Sequence, residues 1–352
     1  MLEVEKPQVK DGPAESPDRS RPPSRHARRA VGLVASLVLL LVVLALSIGF
    51  GARSLTLPEV WRGLVDHDSD TYTVVHRMRL PRTLLGLLVG VALGLAGGVM
   101  QALTRNPLAD PGLLGINAGA SAAVVSGMSF LGVTSFTGSV WLALIGAAIV
   151  SVLVYVVGGG RGATGARLAL AGAALNASLY SYVNAAMLLE SESLDKMRFW
   201  SVGSLASAQM STVVRVLPFI AVGTALALAL ARPLDAMALG DDAARAVGAR
   251  PARVRAASIV AITLLCGAAT AACGPLVFVG LMVPHLVRAI TGPDLRWLLP
   301  YCAVLAPVLL LGADVLGRLL GRPGELQVGI VTAVLGGPLF LYFVRRGKVA
   351  HT

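Results

Sequence analysis

Apolar residues in this chain come in long runs separated by short polar joints. The first run is Ala30 to Gly51. Nine more follow at about 82–104, 112–130, 138–157, 166–189, 212–231, 254–273, 275–290, 297–317 and 326–344. A helix needs about 20 apolar residues to cross the hydrocarbon layer of a bilayer. These runs are continuous rather than alternating, so they predict helices and not strands. The expectation is an all-α integral membrane protein of about ten transmembrane helices in one domain over residues 31–346. The run 275–290 is short and carries Pro284 and His285. Residues 196–207 predict a short interfacial helix outside the span that follows.

The first 30 residues follow a different pattern. They hold Pro7, Pro13, Pro17, Pro22 and Pro23, with Arg21, Arg25, Arg28 and Arg29, and no apolar run. That composition predicts a disordered basic tail. The apolar run after it is too long for the core of a signal peptide and lacks a small-x-small cleavage site, so it is read as a retained first span.

Composition agrees with the membrane pattern. The chain has 352 residues, 55% hydrophobic and only 14% charged, with a mean hydropathy of +0.75. Soluble domains carry about 25% charged residues. The formal net charge of +11 points to lipid-facing cytoplasmic loops rather than to nucleic acid, because no separate basic domain is present. With the N-terminus inside and ten spans, about two thirds of the Lys and Arg residues fall on the cytoplasmic side, which places both termini there. Half of the remaining external charge sits in one segment, residues 52–82. Cys266, Cys273 and Cys302 lie in apolar runs with no CxxC pair, and read as packing residues.

Four segments bear on chemistry. Gly86, Gly90, Gly94 and Gly98 recur every four residues, so one helix face is open to close backbone approach. At the inner end of that run, Gln101, Arg105, Asn106 and Asp110 surround Pro107 and Pro111. Broken backbone at membrane depth survives only where protein or water satisfies it. This segment is either a tight turn between helices or a structured break beside a pathway. Residues 232–250, RPLDAMALGDDAARAVGAR, form the longest cytoplasmic loop between spans. Asp241 and Asp242 stand at the head of a short helical stretch and Gly248 at its end. A helix so short is unstable alone and must pack on its own membrane domain or on a cytoplasmic partner. His285 is a candidate ligand or proton carrier, although a single histidine near a helix end usually bonds to backbone. No phosphate-binding loop, HExxH or GxSxG motif is present, so the chain is not read as an enzyme.

Six ordered segments carry a resemblance: RLPRTL (79–84), GGVMQALTRNPLADPGLLGINAGA (97–120), FWSVGSL (199–205), RPLDAMALGDDAARAVG (232–248), GPLVFVGLMVPHLVR (274–288) and GELQVGIVTAVLGGPLFLYFV (324–344). Together they closely resemble the permease family of bacterial ABC importers for iron–siderophore complexes, haem and vitamin B12. The resemblance implies the type II importer permease fold, in a homodimer or a pair with a paralogue, with the pathway at the dimer interface. It implies two cytoplasmic ATP-binding subunits and an external binding protein, periplasmic or lipid-anchored. It implies residence in the bacterial cytoplasmic membrane, with no cofactor, no metal and no catalytic residue of the chain's own.

The expected cargo is a ferric siderophore, with haem or cobalamin as the alternative. The loop 232–252 would couple to the ATPase through Gly240, Asp241, Ala244, Arg245 and Gly248. Arg79, Arg82 and Arg318 would dock the binding protein, which would account for the external arginine excess; the arginine fork suits paired carboxylates. Asn176 and Ser178 are candidate pathway residues. One departure is Gln327 in ELQVG, where the family usually has proline.

Two other function classes fit parts of the pattern. A secondary transporter would couple to ions through intramembrane charges, and these spans are almost free of Asp, Glu and Lys. A membrane scaffold would need neither the polar break nor the organised loop.

Overall fold

The computed structural model describes residues 25–51, 56–66, 71–133, 135–160, 164–189, 200–322 and 324–347. Its helices are α1 (Arg25–Gly49), α2 (Leu57–Val65), α3 (Leu80–Thr104), α4 (Ile116–Leu131), α5 (Phe136–Val157), α6 (Gly165–Leu189), α7 (Met210–Ala229), α8 (Ala231–Ala238), α9 (Asp241–Ala246), α10 (Pro251–Cys273), α11 (Val279–Thr291), α12 (Leu295–Leu320) and α13 (Val328–Gly347). No strand occurs among the described residues. A π-helical turn, Val74–Arg79, runs into α3, and a 3₁₀ turn, Pro111–Leu114, precedes α4.

Ten helices correspond to the ten expected spans. Six of them (α1, α3 with its leading turn, α5, α7, α10 and α12) are long and apolar enough to cross a membrane by length and composition. Three apolar helices are shorter: Ile116–Leu131, Val279–Thr291 and Val328–Tyr342. The tenth, α6, is less apolar because Asn176, Ser178, Ser181 and Asn184 interrupt it. The tail expected over residues 1–30 lies outside the described residues as far as residue 24. From Arg25 the chain is already helical.

Helix α3 occupies the centre. In its most apolar stretch 78% of residues are buried, against 11% for the peripheral α1. The glycine ladder explains that position. A methyl group added at Gly86 would strike Leu311, at Gly90 the backbone of Pro307, at Gly94 Ala306 and the carbonyl of Cys302, and at Gly98 Leu299. All of these partners belong to α12, so four missing side chains let two helices touch backbone to backbone. In lipid this contact supplies the association energy that hydrophobic burial supplies in water. On the opposite side Gly97 meets the backbone of Gly280 at the start of α11.

Of the interfacial helix expected at 196–207, Trp200 and Ser201 are helical in the described part, and the helix ends there. Residues 202–207 form an irregular turn stitched into the bundle. Ser204 N–H donates to the Cys273 carbonyl at 2.8 Å, and the Gly203 carbonyl accepts from Gly329 N–H at 3.1 Å. Gly203 (φ 78°) permits this because the turn needs a left-handed residue. Residues 196–199 lie outside the described residues.

Candidate functional site

Each end of α3 carries a charged cluster. At the N-terminal end, α3, α12 and the last turn of α1 converge. Arg82 Nε donates to both oxygens of Asp314 (3.2 and 3.0 Å) and Nη2 to Oδ1 (2.7 Å); Nη1 donates to Glu325 Oε2 (2.7 Å). Arg318 Nη2 sits 2.8 Å from Asp314 Oδ2. Its Nη1 donates to the carbonyls of Ser47 (3.0 Å) and Phe50 (2.6 Å), and Nη2 donates to Ser47 Oγ (3.1 Å). Arg79 Nη1 donates to the carbonyls of Ile48 and Gly49 at 2.6 and 2.7 Å.

The three arginines named from the sequence thus come together. They are buried, Arg318 to 2% relative exposure, and Asp314 is fully buried between two of them. Two of the three close the C-terminal end of α1, whose last carbonyls have no partner within the helix and favour cations. The cluster spends most of its donors on the chain's own groups. Its outward rim is the Arg82–Glu325 pair, with Glu325 about one third exposed.

At the other end, α3 stops at Arg105, a non-glycine residue in the left-handed region (φ 52°). The break after it is satisfied by protein. Gln101 Nε2 donates to the Leu281 carbonyl (2.9 Å), Gly112 N–H donates to Asp110 Oδ1 (2.7 Å), and Leu108 N–H to Asn106 Oδ1 (2.9 Å). Behind it, Thr270 Oγ1 donates to Asn117 Oδ1 (2.8 Å). Asn176 Nδ2 donates to the Gly112 carbonyl (3.0 Å), so Asn176 braces the break. Ser178 lies on the exposed face of α6 and bonds back to the Ala174 carbonyl.

The loop 232–250 folds as α8, a glycine hinge and α9. Gly240 has φ 107° and ψ 158°, a conformation essentially confined to glycine. Asp241 does not face outward. Its Oδ1 accepts from Arg105 Nη2 at 3.0 Å and its Oδ2 from Arg255 Nη2 at 2.6 Å, which ties α9 to the end of α3 and the first turns of α10. The Arg255 bond, helped by Arg105, holds the Asp241 carboxyl below the usual carboxylate range against the opposing effect of burial. Ala244 is fully buried and pins α9 to the domain. The outward surface is Asp242 and Arg245, paired at 2.8 Å, flanked by the exposed apolar side chains of Leu239 and Val247. Gly248 (φ 86°) ends the helix.

Sequence inspection missed the partners Asp314, Glu325, Ser47 and Arg255. Asp314 carried a signal, an acid four residues before an arginine in an otherwise apolar run. His285 is half-buried in α11 beside Pro107, Leu108, Met282 and Phe340. No group of three metal-ligating side chains exists among the described residues.

Comparisons with known proteins agree on one lineage. The profile of the FecCD transport family matches residues 39–346. The ferric enterobactin transport system permease protein FepD of Escherichia coli (strain K12) is 45% identical over 323 residues, 90% of this chain and 96% of that protein. The hemin transport system permease protein HmuU of Yersinia pestis is 38% identical over 90% of this chain and 96% of that one. The Fe(3+)-citrate import system permease protein YfmD of Bacillus subtilis (strain 168) is 37% identical, covering 92% and 97%. A solved metal-chelate type ABC transporter in an inward-facing conformation superposes with a TM-score of 0.81 at 26% identity, over 90% of this chain and 99% of that one.

Proposed function

We propose a function from one premise: this chain belongs to the FecCD transport family. It is a multi-pass membrane protein and a permease subunit of an ABC importer. Its cargo is a ferric siderophore, as the name of the 45% identical relative states for that protein. Haem is the alternative, supported by the hemin relative; cobalamin is the third cargo class implied by the sequence resemblance. Two cytoplasmic ATP-binding subunits supply energy, an external binding protein supplies cargo, and two copies of the chain, or one copy and a paralogue, enclose the pathway. The membrane is the bacterial cytoplasmic membrane, with both termini inside.

The observation that carries this proposal is the charged cluster at each end of one buried helix. Helix α3 has 25 residues, about 38 Å at 1.5 Å per residue, enough to join the two faces of a bilayer. Arg82 stands in its first turn. Arg105, at its end, holds Asp241 of the loop that carries α9. A push on α9 by an ATPase subunit therefore reaches the central helix through an ion pair and a buried alanine. The ATPase-facing surface is Leu239, Asp242, Arg245 and Val247, while Gly240, Asp241, Ala244 and Gly248 shape and anchor it.

At the other end, Arg82 is the docking contact at the rim. Glu325 holds the place that a carboxylate of the binding protein takes on docking, and Arg79 and Arg318 fix the backbone around it. Uptake of ferric siderophore into proteoliposomes should require ATP and the ATPase subunits; uptake driven by an ion gradient without them would defeat the proposal. Arg82→Glu should abolish binding-protein docking while the ATPase still co-purifies. Docking at unchanged affinity would remove Arg82 from the interface.

A further inference from the structure

We propose that the cavity between the start of α1 and the α11–α12 corner binds the phosphodiester headgroup of an anionic phospholipid. The cavity measures about 370 Å³ and is lined by Arg28, Arg29, Ile290, Thr291 and Gly292. That volume is within the range of small-ligand sites, about 300–1,000 Å³. No carboxylate lines it among the described residues. Asp294, the acid that Arg29 approaches, is already engaged by Arg296, whose Nε and Nη2 lie 3.1 and 3.3 Å from its two oxygens.

Arg29 is left with only a loose approach to Asp294, Nη1 to Oδ2 at 3.9 Å. Its backbone is fixed, because its carbonyl accepts from Tyr301 Oη at 2.6 Å. The Arg28 side chain makes no hydrogen bond or ion pair with any described residue. Two guanidinium groups beside an acid-free cavity offer an anion site, and planar forks suit phosphate oxygens.

The position favours a lipid over free phosphate. The cavity lies where an apolar span begins, at headgroup depth. Half-buried Trp297 stands beside His26 at this level, with ring centroids 6.2 Å apart, in the manner of interfacial aromatic anchors. Arg28 also shares a helix face with Ala35, Leu39, Val42 and Leu46, at helical spacing, and all four apolar side chains are exposed on peripheral α1. A phosphate held by Arg28 and Arg29 therefore has an acyl-chain track directly beneath it. Basic pockets between spans near the membrane surface hold anionic headgroups in this way.

The test is lipid retention by the purified full chain, read by native mass spectrometry against phosphatidylglycerol and phosphatidylcholine of matched acyl chains. Wild type should bind phosphatidylglycerol in preference. Each arginine in contact with the headgroup is worth about fivefold in affinity, so Arg28→Gln/Arg29→Gln should lose about thirtyfold and Arg28→Gln alone about fivefold. The single variant breaks no side-chain hydrogen bond or ion pair among the described residues, so the test survives if the double variant fails to fold. Arg167→Gln, an exposed arginine at the start of α6, should change nothing. Equal retention by wild type and Arg28→Gln, or an equal loss with Arg167→Gln, would overturn the site. Displacement of the lipid by excess inorganic phosphate would overturn the lipid assignment and leave a free-anion site.

Discussion

At the scale of single residues, Asp314 decides most at the arginine end. It is fully buried and bound by Arg82 and Arg318. Removing one partner of a buried charge network leaves uncompensated charge and costs about 3–5 kcal/mol. Asp314→Ala should therefore lower the thermal midpoint of the detergent-solubilised protein far more than Glu325→Ala, whose pair reaches the surface. Equal shifts in a melting assay would show that the burial has little energetic weight. Gln327 tests the reverse case. Its side-chain oxygen is buried without a hydrogen bond, and its own N–H makes none among the described residues. An unsatisfied buried polar atom costs about 1–3 kcal/mol, and proline lowers the entropy of the unfolded chain. Gln327→Pro should stabilise by about 1 kcal/mol, seen as a raised melting temperature. These partners were only half legible beforehand: Asp314 and Arg318 are four apart in sequence, but 232 residues separate Arg82 from Asp314.

Helices carry the next level. The glycine ladder predicts a packing face in the sequence, and α12 occupies it. Gly94→Leu would drive a side chain into Ala306 and the Cys302 carbonyl. Ordinary overpacking costs about 1–3 kcal/mol, and backbone that cannot retreat sets this case at or above the upper end, so folded yield should collapse in size-exclusion profiles while Gly312→Leu, with open space around it, is tolerated. The loop helix α9 predicts a pH response. The Asp241 carboxyl titrates lower in the folded loop than in an unfolded chain, so the folded state binds fewer protons. Its pairing with Arg255 and Arg105 is complete at neutral pH and is lost as pH falls through the depressed folded value, below the ordinary carboxylate range of about 4. A spin label at position 242 should keep its mobility from pH 7 to pH 5 and loosen only below about pH 4. Loosening already at pH 6 would show that Asp241 does not hold the loop. The short loop helix was legible from its capping pattern. Its inner and outer faces were not, because Asp241 and Asp242 are neighbours in sequence and point to different partners in space.

For the whole molecule, α6 presents an exposed face of Ala173, Ala174, Ala177, Ser178, Ser181 and Ala185. Small residues allow close helix approach in lipid, and hydroxyls suit a wet passage, so this face is the proposed axis of the paired permease. Ser181→Cys should cross-link two copies in membranes. Cys266, Cys273 and Cys302 are buried and free, so they leave a clean background; no dimer after oxidation would move the axis elsewhere. The sequence by itself determined the membrane class, the ten helical segments, the glycine-packed centre and the family, because each rests on local composition, spacing or ordered motifs. Only the tertiary structure decided which charges meet. It turned three arginines inward onto Asp314, Glu325 and the carbonyls of α1, folded Asp241 and Ala244 beneath α9, and drew Asn176 to the polar break. The physical reason is that a buried charge must find its partner through space, and residues far apart along the chain supply that partner.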